Sequence, residues 1–192
     1  DLYLDGLQTQ KFLASLKIFL ENVNIHKLDG DIDYRTRNII KFDEHDSNKI
    51  ISDVEISNFI IDNFGLDQQK SDQISINDRK FTCKLVSNNI LWIEFNDFFR
   101  KATGSKDYTY ISNKFDWVFI SNFKKNNDDS IDVIRRFISF IDITYTNRTK
   151  IKFFFNDIDI ENIYTGSKIE NLWVRCKSRL SEMRTQEYLT NN

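Results

Sequence analysis

Apolar residues change their spacing as this chain proceeds, and the changes mark its elements. Phe12, Leu16, Phe19, Leu20 and Val23 recur at helical intervals with Leu13 beside them, which predicts an opening helix entered at Asp5-Gly6. A short extended run over 24–28 leads into Asp29-Gly30-Asp31, a turn signal, and 38–42 reads as extended again. A second helix is expected from about Asn48 to Asn63, burying Ile50, Ile51, Val54, Phe59, Ile60 and Ile61 and ending at Gly65. Residues 66–80 are polar and predict a loop with a short extended piece at Ile74-Ser75-Ile76.

From residue 81 the pattern shifts. Runs at 81–86 and 90–95 predict strands, and a helical stretch over 96–114 is broken near Gly104. Trp117-Val118-Phe119-Ile120 is continuously apolar, as a strand buried on both faces should be. Asp128 to Tyr145 is the clearest helix, with a stripe of Ile134, Phe137, Ile138, Ile141 and Tyr145. A buried strand follows at 150–155, then a short helix at about 157–164. A terminal helix buries Ile169, Leu172, Trp173, Cys176, Leu180 and Met183. Strands alternating with helices predict an α/β module whose sheet is mostly parallel. Such sheets take ligands beyond the carboxyl ends of their strands. Glu161 to Gly166 faintly echoes Asp1 to Gly6, and both would precede a long helix, which suggests a duplicated α/β unit or chance similarity.

Composition narrows the function classes. A net charge of -2 over 192 residues gives no basic excess, so nucleic acid is not an expected partner. No apolar run approaches the roughly 20 residues of a membrane span, and no charged-then-apolar leader opens the chain. Two distant cysteines, Cys83 and Cys176, lack metal spacing and are expected to fill apolar space in a reducing compartment. With five glycines and no proline, boundaries carry little punctuation.

Candidate chemistry is sparse. No GxxxxGK[ST] phosphate loop occurs. Gly104-Ser105-Lys106 matches the end of one, but it does not follow a strand directly and reads as a turn between helices. Asp29, Asp31 and Asp33 resemble the start of a calcium loop, yet its later glycine and glutamate are missing, so a turn is favoured and no metal site is expected. Asp157 and Asp159 suit a helix start. His26 and His45 have no partner at catalytic spacing, so no catalytic residue is assigned.

Five motifs in order resemble the ZapE-type AAA+ ATPases, a bacterial family with mitochondrial relatives. The family pattern LYxxGLQRxxFLPFI appears from Leu2 to Leu16, with Thr9 at the arginine and Ala14 at the proline. LDGGVDYR appears from Leu28 to Arg35. An F-x-x-LC, DY and VFI series is matched by Phe95 to Phe99, Asp107-Tyr108 and Val118-Phe119-Ile120. RRFIxLIDxLYD is similar to Arg135 through Tyr145, and SRLxEMQSxxYL to Ser178 through Leu189, with Arg184 and Thr185 departing. Residues 36–90 match least.

The resemblance implies residues 1–35 as the end of an AAA+ nucleotide-binding core, 36–80 as a helical lid or connector and 81–192 as a C-terminal three-layer α/β module. It implies ATP and Mg as the intact family's cofactors, with neither expected to bind this chain tightly alone, because the phosphate-gripping motifs should lie upstream of Asp1. It implies a protein client or division-machinery partner, a missing N-terminal half or a homo-oligomer, and a cytoplasmic setting, or the mitochondrial matrix for a eukaryotic relative.

Arg136, placed opposite its helix's apolar stripe, and Arg179, in the terminal motif, are the phosphate-sensing or subunit-interface arginines the resemblance points to. The alternatives are a solvated surface for Arg136, and for Arg135 near Asp142, and an intrahelical pair with Glu182 for Arg179. If the family arginine at Thr9 is a trans-acting finger, its loss removes about 10³–10⁵ in rate. A different reading is a non-enzymatic interaction module or a degenerate gene fragment.

Overall fold

Five strands form one sheet in the order β1-β2-β3-β4-β5: Ser71–Ile76, Arg79–Val86, Ile90–Glu94, Trp117–Ser121 and Lys150–Phe153. The computed structural model describes residues 18, 21, 52–64, 71–87, 89–155 and 158–190. The chain divides into two units, Asp1–Ile32 and Asp33–Asn192. In the first, Ile18 and Glu21 are helical and exposed. Thr9, His26, Asp29 and Asp31 of that unit lie outside the described residues, as do Asp33, His45, Ile50, Ile51 and Asp157 of the second.

In the second unit, β3, β4 and β5 run parallel in a continuous register, Leu91 beside Val118 and Val118 beside Ile151. All three are strands foreseen in the sequence, at 90–95, 117–120 and 150–155. The other two pairings, β1 with β2 and β2 with β3, are antiparallel. β1 is a full strand where only a short extended piece is expected. Its partner is set by the turn Ile76-Asn77-Asp78-Arg79, where Asn77 (φ 47°) and Asp78 (φ 62°) both take positive φ. Two such residues make the turn whose twist matches a hairpin.

The helices α1 (Asp53–Phe64), α2 (Phe95–Phe99), α3 (Ser105–Lys114), α4 (Ile131–Thr146), α5 (Ile160–Ile163), α6 (Glu170–Met183) and α7 (Gln186–Thr190) complete the unit. A 3-10 turn at Asp128–Ser130 leads into α4. Strand alternation divides the core. Leu91, Ile93, Val118, Ile120, Ile151 and Phe153 face α3, α4 and α6, whereas Ile90, Trp92 and Phe119 face α1. On the larger side Phe99 is fully buried, its ring 5.2–5.4 Å from those of Phe95, Phe98, Phe137 and Phe140.

α1 starts later than expected because Ser52 and Glu55 form a reciprocal cap: Ser52 N–H donates to Glu55 Oε2 at 2.8 Å, and Glu55 N–H to Ser52 Oγ at 3.3 Å. Its buried pair is Ile56 and Ile60, while Val54 and Ile61 face solvent. Leu172 on α6 is likewise open rather than buried. The expected break at Gly104 is present, between α2 and α3. The terminal helix is also broken, between α6 and α7.

Candidate functional site

A cavity of about 470 Å³ opens at the carboxyl ends of β3 and β4, where a parallel sheet presents its ligand crevice. Glu94 ends β3, Asn96 and Asp97 begin α2, and Asn122, Phe123 and Lys124 follow β4, with Ile158 on the far wall. Asn122 adopts the left-handed region (φ 56°) and donates through Nδ2 to Glu94 Oε1. Lys84 Nζ lies 3.2 Å from the same oxygen and 2.8 Å from Asp53. Beneath the floor, Trp92 Nε1 donates to the buried Ser121 Oγ at 2.9 Å. The crevice therefore presents two carboxylates, one ammonium and side-chain amides. No phosphate-cradling turn follows either strand.

A second polar cluster ties the next loop to the last helices. The Asp128 carboxylate accepts from the Tyr164 hydroxyl, from Ser167 N–H at 3.2 Å and from Lys168 N–H at 3.2 Å. The Tyr164 hydroxyl bond and then these amides hold Asp128 below the usual carboxylate pKa. Gly166 is required here: a Cβ on it would sit 2.3 Å from Asp128 Oδ1 and 2.5 Å from the Tyr164 hydroxyl. The amides ahead of α6, a natural anion site, are thus already occupied by the chain's own acid.

Asp107-Tyr108 is built into the core. Asp107 is 1% exposed and accepts from both Arg79 Nη2 at 2.5 Å and Asn77 Nδ2 at 3.1 Å, and from Gly104 N–H at 2.9 Å. Burial alone would raise its pKa, but these donors outweigh burial and hold it below the ordinary range. Tyr108, pushed up to about 12 by burial, shares a 2.8 Å hydrogen bond with Thr103. The pair joins the β1–β2 hairpin to α3, and Gly104 serves as the helix entry rather than a phosphate loop.

A group with a depressed folded pKa contributes fully above its unfolded value, about 4 for aspartate, and loses that contribution as pH falls through the folded value. Asp107→Asn should therefore be less stable at neutral pH and lose less further stability on acidification. Urea midpoints at neutral pH and at about pH 3 measure this, and equal acid losses in both proteins would remove Asp107 from the account.

The two arginines singled out by sequence are both engaged. Arg136, opposite the apolar stripe of α4, is half-buried, and its Nη1 donates to the Phe99 carbonyl at 3.1 Å. A helix end leaves such carbonyls unpaired, and α2 packs on that flank of α4. Arg179 pairs with Asp142 on α4, and its guanidinium lies 5.3 Å from the Tyr145 ring centre. Arg175 Nη2 joins the same carboxylate at 3.0 Å. Arg135 is exposed.

Tyr145 stacks on Tyr188 (centres 5.9 Å apart), and Arg148 covers the other face of Tyr188 at 5.3 Å. The RRFI and SRL…YL motif residues thus meet in one stack, a cross-helix arrangement that the linear sequence does not show. Asp159 stands at the start of α5 without a side-chain cap bond. Both cysteines are buried free thiols. Burial pushes Cys83 up to about 11 and raises Cys176 further, so neither is a ready nucleophile. Among the described residues no group of three or more His, Cys, Asp or Glu is placed to hold a metal. No helix among them is long and apolar enough to cross a membrane.

The family profile described as AFG1-like ATPase matches residues 1–192. The cell division protein ZapE of Escherichia coli, from strains K12 and O157:H7, is 25% identical over 194 residues, covering 98% of this chain and 50% of that protein. An uncharacterized protein of Schizosaccharomyces pombe is 23% identical over 223 residues, covering 98% of this chain and 48% of its own length. The chain thus spans about half the length of these relatives. No solved structure matches it.

Proposed function

The chain belongs to the AFG1-like ATPase family, and on that premise we propose that it is the C-terminal part of an ATPase that couples ATP binding and hydrolysis to remodelling of a protein partner. In this reading the phosphate cradle and the Mg ligands belong to the half of the relatives' length that this chain does not span. Residues 1–35 complete that nucleotide-binding core, and the connector expected over 36–80 gives α1 and β1 to the sheet unit, which forms the module after it. The bacterial relative is named for cell division, which supports a division-machinery client and a cytoplasmic setting.

The observation that carries the reading is what fills the two places where this module would hold phosphate. The crevice beyond β3 and β4 presents Glu94 and Asp97 against the single ammonium of Lys124, a lining with no positive excess to draw a polyphosphate. The amides ahead of α6 are taken by Asp128. The sheet unit therefore works as a structural and contact module. Arg179 supports a subunit-interface role better than Arg136 does. Asp142 balances only one of the two guanidiniums on it, whereas Arg136 is committed to the end of α2.

The purified chain should release no phosphate from ATP above background, and ATP with Mg should leave its melting temperature unchanged. Turnover that co-purifies with the chain through successive columns, or a nucleotide-dependent rise in melting temperature, overturns the proposal.

A further inference from the structure

The two faces of the sheet are held in different ways. On the side of the larger core, polar bonds cross from element to element. Arg79 ties the β1–β2 hairpin to Asp107 of α3, Arg136 ties α4 to the end of α2, and Arg175 and Arg179 tie α6 to Asp142 of α4. All five strands and every helix from α2 to α7 give buried residues to that core.

The other face is covered, among the described residues, by α1. This helix lays Ile56, Phe59, Ile60 and Phe64 on Leu85, Ile90, Trp92, Trp117, Phe119 and Phe154. The four residues form one stripe along the helix. Ile56 and Ile60 are shut in, while Phe59 and Phe64 are half-buried. Phe64 meets the rings of Trp117 and Phe119 edge-on at 5.1 and 5.4 Å, and Phe59 meets Phe154 at 5.9 Å. The ion pair between α1 and the sheet, Asp53 with Lys84, has side chains 47% and 33% exposed, and pairs so open to water are weak. Lys84 keeps Glu94 at 3.2 Å when Asp53 departs. Lys152, with Nζ 4.9 Å from the centre of the Phe59 ring, keeps Phe154 at 5.6 Å. Neither cation is stranded by the loss of α1.

We infer that α1 is a detachable cover. It opens as one unit while the rest of the sheet unit stays folded, and the opening bares an aromatic face of Trp92, Trp117, Phe119 and Phe154. A segment held by one apolar stripe and one exposed ion pair lies at the low end of local stability, and segments laced to their neighbours lie at the high end. On the ATPase reading α1 belongs to the connector, so a pull arriving along the chain from residues 1–35 reaches this cover before it reaches the sheet. The opening itself needs no nucleotide, and its test is independent of that reading.

Amide hydrogen exchange of the purified chain under native conditions, followed residue by residue, is the test. Amides from Phe59 to Phe64 should exchange about a hundredfold or more faster than those from Phe137 to Ile141 of α4, and with similar protection to one another. Added denaturant should accelerate them less than it accelerates α4, because a local opening exposes less surface. Ile60→Asp places a carboxylate under α1 and should hold the cover open. In that variant the α1 amides lose protection, the α4 amides keep theirs, and a dye that binds apolar surface is taken up. Exchange of α1 with the rate and denaturant dependence of α4 overturns the inference, as does fraying from the helix ends that leaves Ile60 as protected as α4. So does an Ile60→Asp chain in which α4 loses protection together with α1.

Discussion

Replacing Phe99 by alanine should cost about 3–5 kcal/mol of folding stability, the range for removing a fully buried aromatic ring. Phe99 sits where the short α2 turns under the sheet, ringed by Phe95, Phe98, Phe137 and Phe140. Phe95, Phe137 and Phe140 are themselves fully buried, and Phe98 is 1% exposed, so the neighbours have little room to collapse into the void. Domains of this kind hold about 5–15 kcal/mol in total, so the variant should populate unfolded forms at moderate temperature. Chemical unfolding monitored by tryptophan fluorescence measures the loss. Val54→Ala, at an exposed site, should stay within about 0.5 kcal/mol of wild type. Equal effects at the two positions would mean that the aromatic cluster is not the centre of the fold.

Tyr188→Ala should rank close behind, at about 3–5 kcal/mol, although it lies in a helix of five residues near the end of the described chain. Its ring is 2% exposed, stacked on Tyr145 and covered by Arg148. Its hydroxyl reaches the carbonyls of Thr144, Tyr145 and Thr149 at 3.3–3.5 Å, the first two of which also accept from the Thr149 and Arg148 N–H groups. Burial raises the phenol pKa, so it stays a neutral donor at any physiological pH. Tyr188→Phe separates the two roles. It keeps the stack, loses only the hydroxyl and should cost about 1 kcal/mol. If the two variants unfold at the same denaturant concentration, the ring contributes nothing and the stack is incidental.

What the sequence shows, and what it hides, follows from chain chemistry. β3 and β4 were legible because strands buried on both faces are nearly continuously apolar, and β5 because the phenylalanines at 153–155 follow Ile151. The crevice at their carboxyl ends follows from the parallel order. The β1–β2 hairpin was not legible, because Ser71–Ile76 offers only Ile74 and Ile76 as apolar residues and its turn uses Asn77-Asp78 without glycine. The α1 face was misassigned because isoleucine and phenylalanine surround that helix. Ser52 with Glu55 three residues on was a readable start signal, and it moves the phase toward Ile56.

For Arg179, Glu182 was the partner visible along the chain. The partner the structure shows, Asp142, lies 37 residues away, and linear spacing carries no such information. The Arg136 contact was hidden similarly: the stripe identifies what faces the sheet, and α2 packs on a flank the stripe leaves blank. Asp128 was read only as the start of α4. Its bond to Tyr164 and the close approach at Gly166 join segments nearly 40 residues apart.

The stack beneath α7 also bears on how the molecule is made. Tyr188 completes an aromatic stack on Tyr145 at the end of α4, so a helix made early is finished by a residue of α7. While a ribosome is still extending the chain, α4 can form and close its own end through Arg148 and Thr149, but the ring that stacks on Tyr145 is missing until Tyr188 has emerged. The module therefore reaches its finished state late in synthesis, and a nascent chain stalled before that point would expose tyrosine and phenylalanine rings to chaperones.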